Sequence, residues 1–205
     1  PPGVEPVFVL QSEARGLGHA VLCARPAIAE QSFGVILPDD FILNRGGAPA
    51  LAQMAAMHER LGASVIAVEP VDWKDTGKYG IVSGRQESEA LMRIDSMVEK
   101  PRPDVAPSNL AIVGRYVLSA RIFDLLASTR PGAGGEIQLT DAICALLDSE
   151  AVYAYRFEGT RYDCGSKFGL IDATLRLALD DPEIGQRVRA RMAELVQADV
   201  SADNL

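Results

Sequence analysis

The chain has 205 residues, an apolar fraction of 48% and a formal net charge of −8. This length suffices for one domain with a hydrophobic core, and the negative charge argues against binding to a nucleic-acid backbone, which needs a basic surface. The sequence has no signal-peptide pattern and no apolar run of about 18 residues, so we expect no membrane association. Its three cysteines are odd in number and widely spaced, which favours reduced thiols in the cytoplasm.

Apolar periodicity in the first third of the chain predicts strands and helices in alternation. We expect strands at 7–10, 33–37 and 64–68, separated by helices at 17–29 and 48–61. This order is typical of parallel βαβ units. Further strands are predicted at 79–83, 92–99, 110–118 and 152–157, and helices at 122–127, 139–147, 168–179 and 183–196. The result is a parallel sheet with mixed-sheet additions and a helical C-terminus.

A glycine-containing turn, from Gln11 to Ala20, joins the first predicted strand to the first helix. Glycines let a backbone approach a base or a phosphate closely, and the start of the helix offers free amide donors. The Gln11 amide both donates and accepts, so it is a candidate partner for a nucleobase edge. The alternative is a plain tight turn, with His19 as a packed or capping histidine.

Two adjacent carboxylates, Asp39 and Asp40, follow the strand predicted at 33–37, and Pro38 ends the ladder because it has no N–H. Ligands of open α/β sheets bind beyond the carboxyl ends of strands, where carboxylates suit a hard cation and a phosphate substrate. The alternative is a solvated acidic turn. Asp163 precedes a predicted helix, as either an N-terminal cap or a second carboxylate for the cation.

A charged pair, Glu99 and Lys100, ends another predicted strand just before Pro101. If Pro101 bends the chain, both side chains can reach one cleft. Glu99 would then accept hydrogen bonds from two sugar hydroxyls, and Lys100 would pair with a phosphate. The alternative is a solvated strand end.

These motifs occur in order along nearly the whole chain, and together they resemble those of the bacterial UTP–glucose-1-phosphate uridylyltransferases. The matching stretches are Gln11 with 16–20, 37–40, 79–80, 98–101, 106–116, 135–142 and 163–165. The resemblance implies a nucleotide-diphospho-sugar transferase fold, which is α/β, Rossmann-like and three-layered (α/β/α) with a mixed sheet. It also implies a single nucleotidyltransferase domain over 1–205, with C-terminal helices at about 166–198.

The resemblance also assigns roles to individual residues. Mg²⁺ would be the cofactor, and the reaction would convert UTP and glucose 1-phosphate into UDP-glucose and pyrophosphate in a homo-oligomer. Gln11 and Gly16 would recognise uracil, and Asp39 and Asp163 would bind Mg²⁺. Asp40 and the Gly80 amide would lie near a sugar. Glu99 would bind the glucose hydroxyls, and Lys100 would bind the sugar phosphate. Of these residues, Lys100 and Asp39 would be catalytic.

One family feature would precede residue 1, namely a glycine-rich loop with a Thr-Arg pair and a following Lys. The chain therefore looks like a family member that lacks its N-terminal segment, and we expect the isolated 205-residue chain to be inactive and the complete protein to be the enzyme. Two alternatives stay open: a sister nucleotidylyltransferase that uses dTTP, and a non-catalytic paralogue that binds or regulates the active enzyme.

Overall fold

The computed structural model describes residues 3–202, apart from the side chains of Ala133 and 198–202. The chain divides into two compact units. Unit 1 comprises Pro1–Leu37 and Asn44–Gly159, and unit 2 comprises Pro38–Leu43 and Thr160–Leu205. Among the described residues, no helix has the length and apolar character needed to cross a membrane.

Unit 1 is built on a six-stranded mixed sheet. Its strands are β1 (Ser32–Ile36), β3 (Ser64–Pro70), β4 (Gly80–Gln86), β5 (Leu91–Glu99), β6 (Leu110–Ser119) and β7 (Val152–Arg156). Their order is β1-β6-β3-β7-β5-β4, with a further pairing of β6 and β4. Within the described residues only β3 and β7 pair in parallel. The predicted mixed sheet is confirmed. The expectation of a mainly parallel sheet is wrong, because β6 lies between β1 and β3, which run in the same direction, and pairs antiparallel with both.

Helices cover both faces of this sheet. The helices of unit 1 are α1 (Leu17–Cys23), α2 (Ala50–Leu61), α3 (Ile122–Ser128) and α4 (Leu139–Leu147). In β3 the consecutive residues Val65, Ile66, Ala67 and Val68 are all at most 2% exposed, as expected for a strand covered on both sides. Ile66 and Val68 pack in one core with α1, α3 and α4, while α2 lies against β3 and β6. The predicted three-layer α/β/α arrangement is therefore confirmed.

Two predictions near the N-terminus are wrong. Residues 7–10, which belong to the described part of the chain, form no strand, and Phe8 is 94% exposed. A local pattern favours a strand, but a strand also needs a ladder partner. The helix predicted at 17–29 ends at Cys23 and is followed by a short 3-10 turn, Arg25–Ala27. Pro26 stops the α-helix because it lacks an N–H and restricts the residue before it.

Unit 2 contains two strands that the sequence patterns did not predict. The strands β2 (Asp40–Leu43) and β8 (Thr160–Asp163) form a two-stranded antiparallel sheet in which Asp40 pairs with Asp163. Two helices follow, α5 (Lys167–Asp180) and α6 (Gly185–Ala202). The cap of α5 is Ser166, whose Oγ accepts from the Gly169 N–H at 3.0 Å. The alternative that made Asp163 the helix cap is therefore wrong.

Candidate active site

The β2–β8 sheet brings Asp39 and Asp163 together. The Cys164 N–H donates to the Asp39 carbonyl at 2.8 Å, and the Gly165 N–H donates to Asp163 Oδ1 at 3.1 Å. Asp163 Oδ1 and Asp39 Oδ2 lie 3.2 and 3.3 Å from the point where a Cβ on Gly165 would stand. Because each oxygen lies within 3.3 Å of that point, the two oxygens are at most about 6.6 Å from each other. The expected juxtaposition of these residues is confirmed, and their metal role stays a prediction.

The chemistry of this donor pair fits a magnesium ion. Mg²⁺ binds through one or two carboxylates, completes its shell with phosphate and water oxygens, and takes ligands at about 2.0–2.1 Å. Asp39 is exposed and Asp163 is partly exposed, so a phosphate could share an ion held between them. Because Gly165 carries no side chain, no methyl group crowds the two oxygens.

Asp40, the residue after Asp39, lies in a different environment. Its carboxylate forms an ion pair with the Arg161 guanidinium, and the two side chains are 10% and 8% exposed. Removing one partner of a buried ion pair strongly destabilises a protein. The structure therefore gives Asp40 a structural partner within unit 2, and its place near a sugar stays a prediction.

In unit 1, Glu99 is held by a residue to which sequence analysis assigned no role. Thr140 Oγ1 donates to Glu99 Oε2 at 2.7 Å, and Thr140 is 9% exposed. Gly80 pairs with Glu99 across the β4–β5 ladder. A Cβ on Gly80 would stand 3.2 Å from Glu99 Oε2 and 3.3 Å from Thr140 Oγ1. Glycine at position 80 therefore allows this close packing around the Glu99 carboxylate.

Lys100 follows Glu99 at a sharp turn of the chain. It has a φ of 46° and is the single non-glycine residue with positive φ in the described chain. Its N–H donates to the Tyr79 carbonyl at 3.0 Å, so the turn comes at Lys100, directly before Pro101. Lys100 Nζ lies 3.8 Å from Glu99 Oε1. The expected convergence of Glu99 and Lys100 is confirmed.

Both side chains line a cleft of about 650 Å³ in unit 1. Its walls are formed by Met97, Val98, Glu99, Lys100, Gly134, Glu136, Gln138 and Asp141. Three of these residues are acidic and one is basic, so Lys100 is the cation on this wall that can attract an anionic group. The lining of the cleft combines these charged groups with apolar side chains, and its volume is large enough for a sugar phosphate.

The glycine turn before α1 packs against Glu136, which also lines this cleft, and against the next residue, Ile137. Gly16 has a φ of 92°, and a Cβ there would stand 2.8 Å from Glu136 Cβ, so this position needs glycine. The Gly18 N–H donates to the Ile137 carbonyl at 2.9 Å, and the Ile137 N–H donates to the Arg15 carbonyl at 2.8 Å. Gln11 Nε2 lies 3.1 Å from the Gly16 carbonyl oxygen and 3.0 Å from His19 Nδ1.

The segment 136–141 thus connects the two candidate binding regions of unit 1. Ile137 fixes the glycine turn, and Thr140 fixes Glu99. This segment is in one of the stretches that carry the family resemblance, but its local pattern indicates only a loop and the start of an amphipathic helix. The contact between Thr140 and Glu99 joins residues that are distant in the chain, so no local signal could reveal it.

Comparison with known proteins identifies the family. A family model described as nucleotidyl transferase matches residues 2–179. The chain belongs to the nucleotidyl transferase family. The UTP–glucose-1-phosphate uridylyltransferase of Pseudomonas aeruginosa is 46% identical over 167 residues, which are 82% of this chain and 60% of that protein. The chain therefore spans about 60% of the length of this curated relative.

Solved structures extend the likeness within the nucleotidyl transferase family. A structure described as UTP-bound UGPase from Acinetobacter baumannii has a TM-score of 0.82 and 41% identity, over 90% of this chain and 64% of that one. A UDP-glucose pyrophosphorylase complexed with UDP-glucose has a TM-score of 0.78 and 41% identity, over 80% of this chain and 62% of that one. The resemblance and the fold predicted from the sequence are thereby confirmed.

Proposed function

We propose that the complete protein transfers a uridylyl group from UTP to glucose 1-phosphate and releases UDP-glucose and pyrophosphate. The observation that carries the proposal is the 46% identity to the uridylyltransferase of Pseudomonas aeruginosa. The likeness to a structure described as UTP-bound and to another described as complexed with UDP-glucose supports it. The family match, which covers 2–179, supports one nucleotidyltransferase domain that includes residues of both units.

The proposed reaction needs no nucleophile from the protein. An ionised phosphate oxygen of glucose 1-phosphate attacks the α-phosphorus of UTP in line, and the bond from that phosphorus to the leaving pyrophosphate breaks. The work of the protein is then to position the two substrates and to neutralise their charges. The side chains described above are suited to this work, since they are carboxylates, an ammonium group and neutral hydrogen-bonding groups.

Asp39 and Asp163 would hold Mg²⁺, with Asp39 counted as catalytic because the ion would lie on the reacting phosphates. When bound, the ion would supply positive charge that offsets the charge of those phosphates. The close approach of both carboxylate oxygens to Gly165 supports this role. Asp40 would stay paired with Arg161 and support the β2–β8 sheet beneath the metal ligands.

Glu99 would bind the hydroxyl groups of glucose 1-phosphate, and Lys100 would bind its phosphate. Thr140 occupies one acceptor position on Glu99 Oε2, and the remaining lone pairs of the carboxylate can accept from glucose hydroxyls. A carboxylate repels phosphate, whereas the Lys100 ammonium attracts it and stabilises the charge as the phosphate attacks. The Gly80 amide, which lies at the start of β4, would contact a sugar. Gln11 and Gly16 would recognise uracil.

Two further properties are proposed. All three cysteines are free thiols, which supports a cytoplasmic location. Apolar side chains on α5 and α6 are exposed, among them Ile171 at 56% and Leu195 at 49%. Such exposure supports a homo-oligomer, in which a second copy covers part of this surface.

The test is a steady-state assay of the complete protein with glucose 1-phosphate and either UTP or dTTP, with and without EDTA. UDP-glucose formation that needs Mg²⁺ and prefers UTP is expected. Preference for dTTP would indicate the sister enzyme. No turnover, together with stimulation or inhibition of an active uridylyltransferase added to the assay, would indicate the regulatory paralogue. Asp39→Ala should abolish most turnover, whereas Asp95→Ala, which removes an exposed carboxylate of β5, should not.

Lys100→Ala should lower the rate with every sugar phosphate tested. A charge-assisted contact is worth about 1.5–3 kcal/mol, so the loss should be about tenfold to 150-fold in kcat/KM. Glucose 1-phosphate and galactose 1-phosphate should be affected equally, because Lys100 would contact only the phosphate. An unchanged rate would show that the Lys100 side chain, which is 58% exposed, is simply solvated.

A further inference from the structure

The side-chain amide of Gln11 has a fixed orientation in this structure. Its Nε2 lies 3.1 Å from the Gly16 carbonyl oxygen, and a carbonyl oxygen can only accept a hydrogen bond. The NH₂ end of the amide must therefore point to Gly16, and this settles which end is nitrogen. The second contact of Nε2 is to His19 Nδ1 at 3.0 Å.

The ring of His19 accepts the second amide hydrogen. Because Nδ1 accepts, the proton of the neutral ring belongs on Nε2. The Cys23 thiol lies 3.7 Å from that nitrogen, one helical turn further along α1. The ring of His19 is thus contacted at both nitrogens. With one hydrogen donated to Gly16 and the other to His19, the amide of Gln11 has no hydrogen left for a ligand.

We propose that His19 is a positioning residue that makes Gln11 an acceptor only, and that this selects uracil over cytosine. The inference rests on the proposed function, in which Gln11 meets the base of UTP. Nothing in the described chain donates to Gln11 Oε1, so this oxygen is available to a ligand. Uracil carries an N–H at ring position 3, which can donate to Oε1, whereas cytosine carries an acceptor nitrogen there. Without His19 the second amide hydrogen would have no acceptor in the contact described above, and it could be donated to the acceptor nitrogen of cytosine.

Thymine supplies an internal control, because it carries the same ring N–H as uracil. Loss of the His19 contact should therefore change the choice between UTP and CTP but not the choice between UTP and dTTP. A neutral hydrogen bond of ordinary strength corresponds to a change of about threefold to tenfold in this choice.

The kinetic test compares His19→Leu with His19→Asn in the complete protein, using kcat/KM for UTP, CTP and dTTP. His19→Leu removes the acceptor, and the UTP-to-CTP ratio should fall about threefold to tenfold while the UTP-to-dTTP ratio is unchanged. His19→Asn keeps an acceptor on the atom next to Cγ, as Nδ1 is in histidine, and should preserve both ratios. Equal ratios in wild type and His19→Leu, or a parallel fall of both ratios, would overturn the inference.

The second test needs neither activity nor a variant. Two-bond proton–nitrogen correlations in the NMR spectrum show which nitrogen of a histidine ring carries the proton, at about pH 8, where an ordinary imidazole is neutral. His19 should carry it on Nε2. The chain has two histidines, and His58 Nδ1 faces the Ala63 carbonyl at 2.8 Å, so His58 should show the opposite tautomer. A proton on His19 Nδ1 would overturn the inference even in an active enzyme, whereas absence of UTP turnover would overturn the proposed function and the base selection with it.

Discussion

Replacing Gly165 with alanine tests the candidate metal site with a single methyl group. The new methyl would stand 3.2 Å from Asp163 Oδ1 and 3.3 Å from Asp39 Oδ2, closer than ordinary van der Waals contact. Gly165 is absent from the glycines with positive φ, so alanine can adopt its backbone conformation. Such a change reduces the freedom of the unfolded chain and stabilises a protein by about 0.4–1 kcal/mol where nothing clashes. The fold should therefore survive.

The effect of Gly165→Ala on the binding of a cation should be much larger than its effect on stability. Ligand oxygens must approach Mg²⁺ to about 2.0–2.1 Å, and the methyl group would push at least one carboxylate away from the shared position. Loss of one charge-assisted contact costs about 1.5–3 kcal/mol, which corresponds to about a tenfold to 150-fold rise in the Mg²⁺ concentration needed for half-maximal rate. We therefore expect Gly165→Ala to shift the Mg²⁺ requirement without making the protein less stable.

The assay is the initial rate of UDP-glucose formation over a range of Mg²⁺ concentrations, with thermal unfolding measured in parallel. Gly77→Ala is the matched control, because a Cβ there meets only the Pro101 carbonyl oxygen at 3.6 Å. It should leave the Mg²⁺ requirement unchanged. A wild-type Mg²⁺ requirement in folded Gly165→Ala would refute the placement of the ion between Asp39 and Asp163.

Three other outcomes are expected. Asp40→Ala should destabilise the protein by about 3–5 kcal/mol in urea unfolding, because it removes the carboxylate that pairs with the buried Arg161 guanidinium; a loss below about 1 kcal/mol would contradict this. Thr140→Val should raise KM for glucose 1-phosphate while Thr140→Ser preserves it, because only the serine keeps the donor to Glu99; equal kinetics would assign Thr140 to packing alone. Burial raises the pKa of the Cys144 thiol, so its contribution to stability is present below the thiol's usual pKa of about 8.5 and is lost as pH rises towards its folded value. Unfolding of wild type and Cys144→Ala at about pH 8 and 10 checks this, and equal pH slopes would contradict it.

Elements that bury a regular face could be predicted from local pattern. In α4, the residues Leu139, Ala142, Ile143 and Leu146 follow helical spacing and are all buried. The predicted bounds of this helix agree with the structure. The apolar run in β3 likewise identifies a strand covered on both faces.

Features that depend on distant partners could not be predicted in this way. The strands β2 and β8 have four residues each and form a ladder with each other, and so short a stretch shows no reliable alternation. Residues 7–10 show the opposite case, since their pattern is typical of a strand while the described chain provides no ladder partner. The residues alone left Asp163 as either a helix cap or a second carboxylate beside Asp39, and the family resemblance favoured the second alternative. The β2–β8 ladder, rather than an edge of the large sheet, is the reason that Asp39 and Asp163 meet.

The position of β6 has a consequence for how the chain acquires its structure during synthesis. β6 pairs with β1, β3 and β4, all of which precede it in sequence. Until the ribosome has released residues 110–119, the apolar strand β3 therefore has neither of its two neighbours, because β7 comes later still. Contacts between such distant segments form slowly, and unpaired strand edges attract other chains in the meantime. The nascent polypeptide is accordingly most prone to aggregation before β6 emerges. A chaperone that covers β3 would have its largest effect during this interval.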